Sequence, residues 1–122
     1  MMILLDTNFL LIPFKKKLDI YEELRFRFPL YNLITLESCI RELEKMNQKG
    51  AIELAKSSGL KIIKYGKGIA DSDIISFAKK KKVIVATIDK KLQKKLLEIG
   101  VRIIYLREGR FPEIKGKPLK NL

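Results

Sequence analysis

Short apolar runs, several of them β-branched, alternate with segments of helical period along almost the whole chain, and that alternation leaves few folds open. Met2–Leu5 is a continuous apolar run, the pattern of a strand buried on both faces. Asp19–Phe28 carries Ile20, Leu24 and Phe28 on one helical stripe, and Pro29 stops it. Leu33–Leu36 reads as a second strand, Glu37–Met46 as a helix with Ile40 and Leu43 inward, and Gly50–Ser58 as a shorter helix closed by Gly59. Leu60–Lys64 is a weaker third strand, and Asp71–Lys81 a helix carrying Ile74, Ile75 and Ala78. Val83–Ile88 is the strongest strand. Asp89–Ile99 is a helix with Leu92, Leu96 and Ile99 inward, stopped by Gly100, and Val101–Leu106 is a fifth strand. Strands that alternate with helices and are apolar on both faces predict a three-layer α/β/α domain around a parallel sheet of about five strands. The residues from Arg107 onward, with Gly109, Pro112, Gly116 and Pro118 among lysines, read as an irregular basic tail.

The composition narrows the chemistry. With 122 residues there is room for one core. There is no histidine, so histidine-based acid–base catalysis, Ser-His-Asp triads and histidine zinc sites are excluded. The single cysteine, Cys39, lies within a helical pattern and reads as a core residue. Hydrolytic chemistry must come from carboxylates, hydroxyls, lysine, tyrosine or a metal held by oxygen. Lys and Arg number 26 against 14 Asp and Glu, a net charge of +12 that favours a polyanionic partner. No apolar run approaches a membrane span, and the first residues lack the features of a secretory leader, so a cytoplasmic protein without a membrane partner is expected.

In an open doubly wound sheet, ligands sit at the carboxyl ends of the strands where the strand order reverses. For the common order 3-2-1-4-5 that crevice lies between strands one and four. Asp6 directly follows strand one and Asp89 directly follows strand four. Glu42 lies in the helix after strand two, and Asp71 opens the helix before strand four. Taken singly, each has an ordinary reading: Asp71 and Asp89 as helix N-caps, Asp6 in an Asx-turn, Glu42 on a solvated face, and Asp73 as a first-turn acid. Together they form a set of carboxylates that would repel one another without a cation, and a hard divalent ion, Mg²⁺ or Mn²⁺, resolves that repulsion. Thr7, Asn8 and Thr87 are neutral neighbours able to orient those carboxylates.

Four segments carry a family resemblance: Leu4-Leu5-Asp6-Thr7-Asn8, Arg41-Glu42-Leu43-Glu44, Asp71-Ser72-Asp73-Ile74-Ile75 and Val83-Ile84-Val85-Ala86-Thr87-Ile88-Asp89. In this order they resemble the four acidic motifs of PIN-domain nucleases. The resemblance implies a nuclease domain over residues 1–106, with a basic tail over 107–122 continuing it. It makes Asp6, Glu42, Asp71 and Asp89 the catalytic, metal-binding acids, with Asp73 as a fifth ligand. The family commonly has Asn where this chain has Ile88, which removes one polar contact near the metal. The segments Asp6–Phe14 and Val101–Arg107 look most like the small-subunit rRNA-processing PIN proteins and their archaeal relatives, with VapC-type toxins as neighbours.

The resemblance implies metal-assisted endonucleolytic hydrolysis of RNA, leaving 5′-phosphate and 3′-hydroxyl ends. Pre-rRNA is the expected substrate, and a homodimer or a ribonucleoprotein assembly is an open possibility. Basic clusters that would hold the phosphates are Lys15–Lys17, Lys79–Lys82, Lys90, Lys91, Lys94 and Lys95, and the tail with Arg107, Arg110, Lys115, Lys117 and Lys120. Tyr65, Tyr105 and Phe111 could stack bases, or pack in the core. A non-catalytic RNA-binding scaffold is the alternative within the family, marked by loss of acids that this chain keeps. A receiver domain would place its acceptor Asp after strand three, where Tyr65-Gly66 stands. A phosphatase beginning Asp-x-Asp would need an acid at Asn8, and Gly66-Lys67-Gly68 lacks P-loop spacing.

Overall fold

A computed structural model describes residues 1–117. Six strands form one sheet in the order β3-β2-β1-β4-β5-β6. The strands are β1 (Met2–Leu5), β2 (Asn32–Leu36), β3 (Lys61–Ile63), β4 (Val83–Ala86), β5 (Ile103–Arg107) and β6 (Phe111–Lys115). The first five run parallel, and β6 runs antiparallel to β5. The helices are α1 (Thr7–Leu10), α2 (Ile12–Lys15), α3 (Ile20–Arg27), α4 (Glu37–Lys45), α5 (Lys49–Ser57), α6 (Ala70–Lys80) and α7 (Lys90–Glu98). None of the helices described is long and apolar enough to cross a membrane.

The continuous apolar runs took the centre of the sheet. In β1, Ile3, Leu4 and Leu5 are fully buried, and β4 is buried at every position. Registering Leu5 against Ala86 and Met2 against Val83 sets the two central strands level, so both end at the same height. Each buried Leu or Ile of this layer contributes about 1.5–3 kcal/mol through apolar surface removed from water. The helical stripes close over it: Ile20 and Leu24 from α3, Ile40 and Leu43 from α4, Ile74 and Ala78 from α6, Leu92 and Leu96 from α7. Cys39 is buried in the same core, as its helical position suggested.

Helix α7 ends as its sequence implies. Gly100 adopts φ +80°, its amide donates to the Leu97 carbonyl at 3.1 Å, and the Val101 amide donates to the Leu96 carbonyl at 2.9 Å. This is the paired closure that a left-handed residue after a helix makes possible. The turn leaves Ile99 exposed at 41%, so the inward position expected for it is corrected.

The apolar stretch after Asp6 folds into α1 and α2, and Phe9, Leu10, Leu11 and Ile12 join the core while Phe14 stays exposed. Two further expectations change. Residues 107–115 of the tail are not irregular. A turn with positive φ at Glu108 and Gly109 returns the chain as β6, adding a sixth strand to the five expected. Pro112 costs no ladder bond that matters, because β6 is an edge strand and its pyrrolidine ring is buried. Pro118 and Lys120 of the expected tail lie outside the described residues.

Candidate active site at the carboxyl ends of β1 and β4

The chain leaves β1 at Asp6 and β4 at Thr87, and the two meet. The Asp6 amide donates to the Ala86 carbonyl at 3.0 Å, extending the strand pairing by one residue. The Asp6 carboxylate then accepts twice: from its neighbour's amide, Thr7 N to Oδ1 at 2.7 Å, and from the Thr87 hydroxyl to Oδ2 at 2.8 Å. The same Thr87 hydroxyl accepts the Asp89 amide at 3.1 Å. One buried hydroxyl therefore joins the acid that ends β1 to the residue that opens α7, across 81 residues of sequence.

Both acids also cap helices. Asp6 is the N-cap of the one-turn α1, and Asp89 caps α7 by accepting the amides of Lys91 at 2.9 Å and Leu92 at 3.3 Å. Capping and site roles coexist, because a carboxylate that accepts a few amides keeps lone pairs free for another ligand. Asp71 is not a cap: α6 begins one residue earlier, at Ala70, and Asp71 stands exposed in its first turn.

Electrostatics bring the remaining acids in. Burial raises the Asp6 carboxyl from 3.8 to about 6, against the lowering effect of its two hydrogen bonds, and the charges of Asp71 and Glu42 raise it further. Asp71 is raised as well, by partial desolvation first and by Asp89 second, with Lys95 offsetting part of the effect. Glu42 and Asp71 thus act on Asp6, and Asp89 acts on Asp71, through their charges. None of the four takes part in an ion pair among the described residues, although the chain has an excess of lysine.

This donor set suits a hard divalent cation. It is made of carboxylate oxygens that repel one another and lack a protein counter-ion. No three acidic or cysteine side chains among the described residues converge into a ready cage. An ion of the magnesium kind does not need one, since it takes one or two carboxylates and fills its other positions with water and phosphate.

Asp73, expected as a fifth ligand, has a different task. It is buried, and both of its oxygens accept backbone amides of the loop before α6, Lys67 N and Gly68 N at 2.9 Å each. A Cβ on Gly66 would sit 2.1 Å from Asp73 Oδ1, and Gly66 holds φ +88°. Asp73 is therefore the clamp of the 66–68 loop. Among the neutral neighbours, Thr87 does orient Asp6. Thr7 does so through its amide, while its hydroxyl is buried without a hydrogen-bond partner. Asn8 is half-buried in α1.

The basic candidates divide between the two ends of the sheet. Lys16 and Lys90, with Gln93, Tyr105 and Ile88, line a groove beside Asp89, and Lys90, Gln93 and Tyr105 continue into a second hollow reaching Lys94 and Lys115. Arg110 borders a neighbouring hollow with Lys16. Lys15 and Lys91 are exposed near by in sequence, in α2 and at the start of α7. Arg107 is spent on structure: its Nε donates to Glu113 at 2.5 Å and its guanidinium lies 4.8 Å from the centre of the Phe111 ring. Lys79–Lys82 precede β4 instead of following it, so they lie at the opposite end from the acids. Tyr65 packs edge-on against Phe77 with its hydroxyl on Ser76, and Tyr105 keeps one edge in the groove while its hydroxyl donates to Glu113.

One site residue was missed in the sequence. Gln93 donates from Nε2 to the Thr87 carbonyl at 2.6 Å and bonds through its backbone to Asp89, so it fixes the acid-bearing turn from the first turns of α7. Its position four residues after Asp89 was the available signal.

Comparisons with known proteins agree with this geometry. The family described as a PIN like domain matches residues 3–109. Ribonuclease VapC4 of Methanocaldococcus jannaschii is 34% identical over 91% of this chain and 94% of its own length. Ribonuclease VapC9 of Archaeoglobus fulgidus is 30% identical over 86% and 82%. The solved structure of the PIN domain endonuclease Utp24 shares the fold, with a TM-score of 0.83 and 24% identity over 98% of this chain and 96% of that one.

Proposed function

The chain belongs to the PIN-like domain family, and from that premise we propose that it is a Mg²⁺- or Mn²⁺-dependent endoribonuclease. The observation that carries the reading is the meeting of Asp6 and Asp89 through the Thr87 hydroxyl at the strand-order reversal, where the charges of Glu42 and Asp71 bear on Asp6, that of Asp89 bears on Asp71, and none of the four is in an ion pair among the described residues. Curated ribonucleases related over most of the chain support RNA as the substrate.

Asp6, Glu42, Asp71 and Asp89 would hold the ion, which when bound polarises the phosphodiester and lowers the cost of generating the attacking hydroxide. The chain's own groups do the positioning. Thr87 aims Asp6 by donating to one oxygen and restrains Asp89 by accepting its amide. Gln93 holds the Thr87 carbonyl and so keeps that turn from swinging. Lys16, Lys90 and Lys94 line the groove beside Asp89 and would take the phosphates flanking the scissile bond, with Tyr105 at the groove wall to stack a base. Ile88 is exposed at 37% where a polar residue is common in the family, so substrate contact at that point is apolar.

Two roles share this chemistry. Ribosomal RNA processing draws on the likeness of the Asp6–Phe14 and Val101–Arg107 segments to the small-subunit rRNA-processing PIN proteins. A VapC-type role draws on two related ribonucleases that bear that name. Single-stranded RNA should be cut with Mn²⁺ or Mg²⁺ and left whole in EDTA; full activity in EDTA rejects the reading. Crosslinking of the Asp6→Asn chain in cells then separates the roles, with pre-rRNA recovered for the first and tRNA for the second.

A further inference from the structure

The end of the sheet remote from the acids is also specialised. Because β1 and β4 are parallel, their amino ends lie together, and Lys79–Lys82 lead into β4 there. With Arg102 and Ile99 these lysines line a hollow whose walls include five cations and no carboxylate. Among the described residues none of the five has an ion-pair partner. The Nε of Arg102 is buried there without a hydrogen-bond acceptor. Lysines at a helix end complement its dipole, which accounts for Lys79 and Lys80 in the last turn of α6. It does not account for Lys81, Lys82 or Arg102, which lie beyond that turn. Like charges lining one hollow destabilise it, and a buried guanidinium nitrogen without an acceptor adds to the cost. An anion with several oxygens relieves the repulsion among the cations.

We infer that this hollow is a second phosphate-binding site, which takes the backbone of an RNA strand away from the acids. The inference rests on the ribonuclease reading for the identity of its ligand: the substrate proposed for one end is itself a polyphosphate and can serve both. The four-residue strands set the two ends about 13 Å apart at roughly 3.3 Å per residue, with the packed sheet between them. Only an RNA long enough to pass around the sheet engages both ends at once, so the second site adds more affinity for long substrates than for short ones.

The test compares the full chain with its Lys81→Gln, Lys82→Gln variant in EDTA, titrating a hexanucleotide RNA and a single strand several times longer over a range of KCl. For the long strand, the slope of log affinity against log salt should shrink by about 1.4, roughly 0.7 for each phosphate no longer neutralised, and the loss of affinity should be larger than for the hexanucleotide. Restoration of the slope in Lys81→Arg, Lys82→Arg shows that charge is responsible and not altered folding. An unchanged slope overturns the second site. Sensitivity of polyglutamate binding to the same substitutions, with RNA binding unaffected, overturns RNA as its ligand. Hexanucleotide cleavage in Mn²⁺ reports the acid site separately: its absence rejects the ribonuclease reading, whereas the salt slope still decides the second site.

Discussion

The two ends of the central strands contrast in charge and in construction. At the carboxyl ends, carboxylates gather without a cation to pair with, and one of them is held by two neutral donors, the Thr7 amide and the Thr87 hydroxyl. At the amino ends, cations gather without a carboxylate. A parallel sheet makes this sorting inexpensive, because every strand starts at one end and finishes at the other. Residues that follow a strand share one surface and residues that precede it share another. The chain needs no separate domain to keep the chemistry apart from a distant grip on a polyanion.

The sharpest way to break the contrast is to remove charge at the acidic end. Asp6→Asn and Asp89→Asn should each lower kcat/KM for single-stranded RNA by about two to three orders of magnitude, the scale of losing a group that stabilises transition-state charge. Asn caps helices as well as Asp does, so α7 should survive in Asp89→Asn, and unaltered circular dichroism alongside lost cleavage would confirm that charge is the cause. Next comes proton linkage. The folded-state value of Asp6, about 6, lies above its ordinary 3.8, so ionising it costs folding stability. That stability is fully present below pH 3.8 and is lost as the pH rises to about 6, a fall of about 3 kcal/mol without divalent ion. Denaturant melts in EDTA should show the fall, Asp6→Asn should flatten it, and Mn²⁺ should restore stability at neutral pH.

Thr87→Val tests the hinge between the two acids. It preserves volume and removes the hydroxyl, and activity should fall about 10–100-fold, the usual cost of losing a group that orients a metal ligand. Gly66→Ala should act differently: it forces a Cβ against Asp73 at positive φ and should destabilise the fold by about 2 kcal/mol. If Asp73 serves only the loop, the Gly66→Ala protein that remains folded should cut RNA at close to the full rate.

Much of the fold and the site is legible in the amino-acid order. Continuous apolar runs mark β1 and β4 as central, and the strand-order argument then puts Asp6 and Asp89 beside each other. What the sequence conceals has identifiable physical causes. Asp71 and Asp73 stand two residues apart on one helix, which turns them about 200° from each other. Asp73 turns inward to the 66–68 loop and Asp71 stays exposed, and both look the same in a motif. Helices α1 and α2 are one turn each, too short to show a period, so the sequence does not mark the residues after Asp6 as helical. Glycine and proline after Arg107 suggest an irregular tail, yet Gly109 supplies the turn and Pro112 sits on an edge where its missing amide is tolerated. The lysine runs have no period to reveal which end of the sheet they occupy; only their order relative to β4 does.

The returning strand β6 has a consequence for how the protein behaves in a crowded solution. It seals the flank of β5, so the exposed margin on the opposite side is β3, only three residues long. A chain shortened before Phe111 would present a five-residue row of bare amides and carbonyls along β5, an invitation to strand-by-strand aggregation. The segment that looked most dispensable by composition thereby replaces that row with an edge that carries Pro112, a residue with no amide to donate.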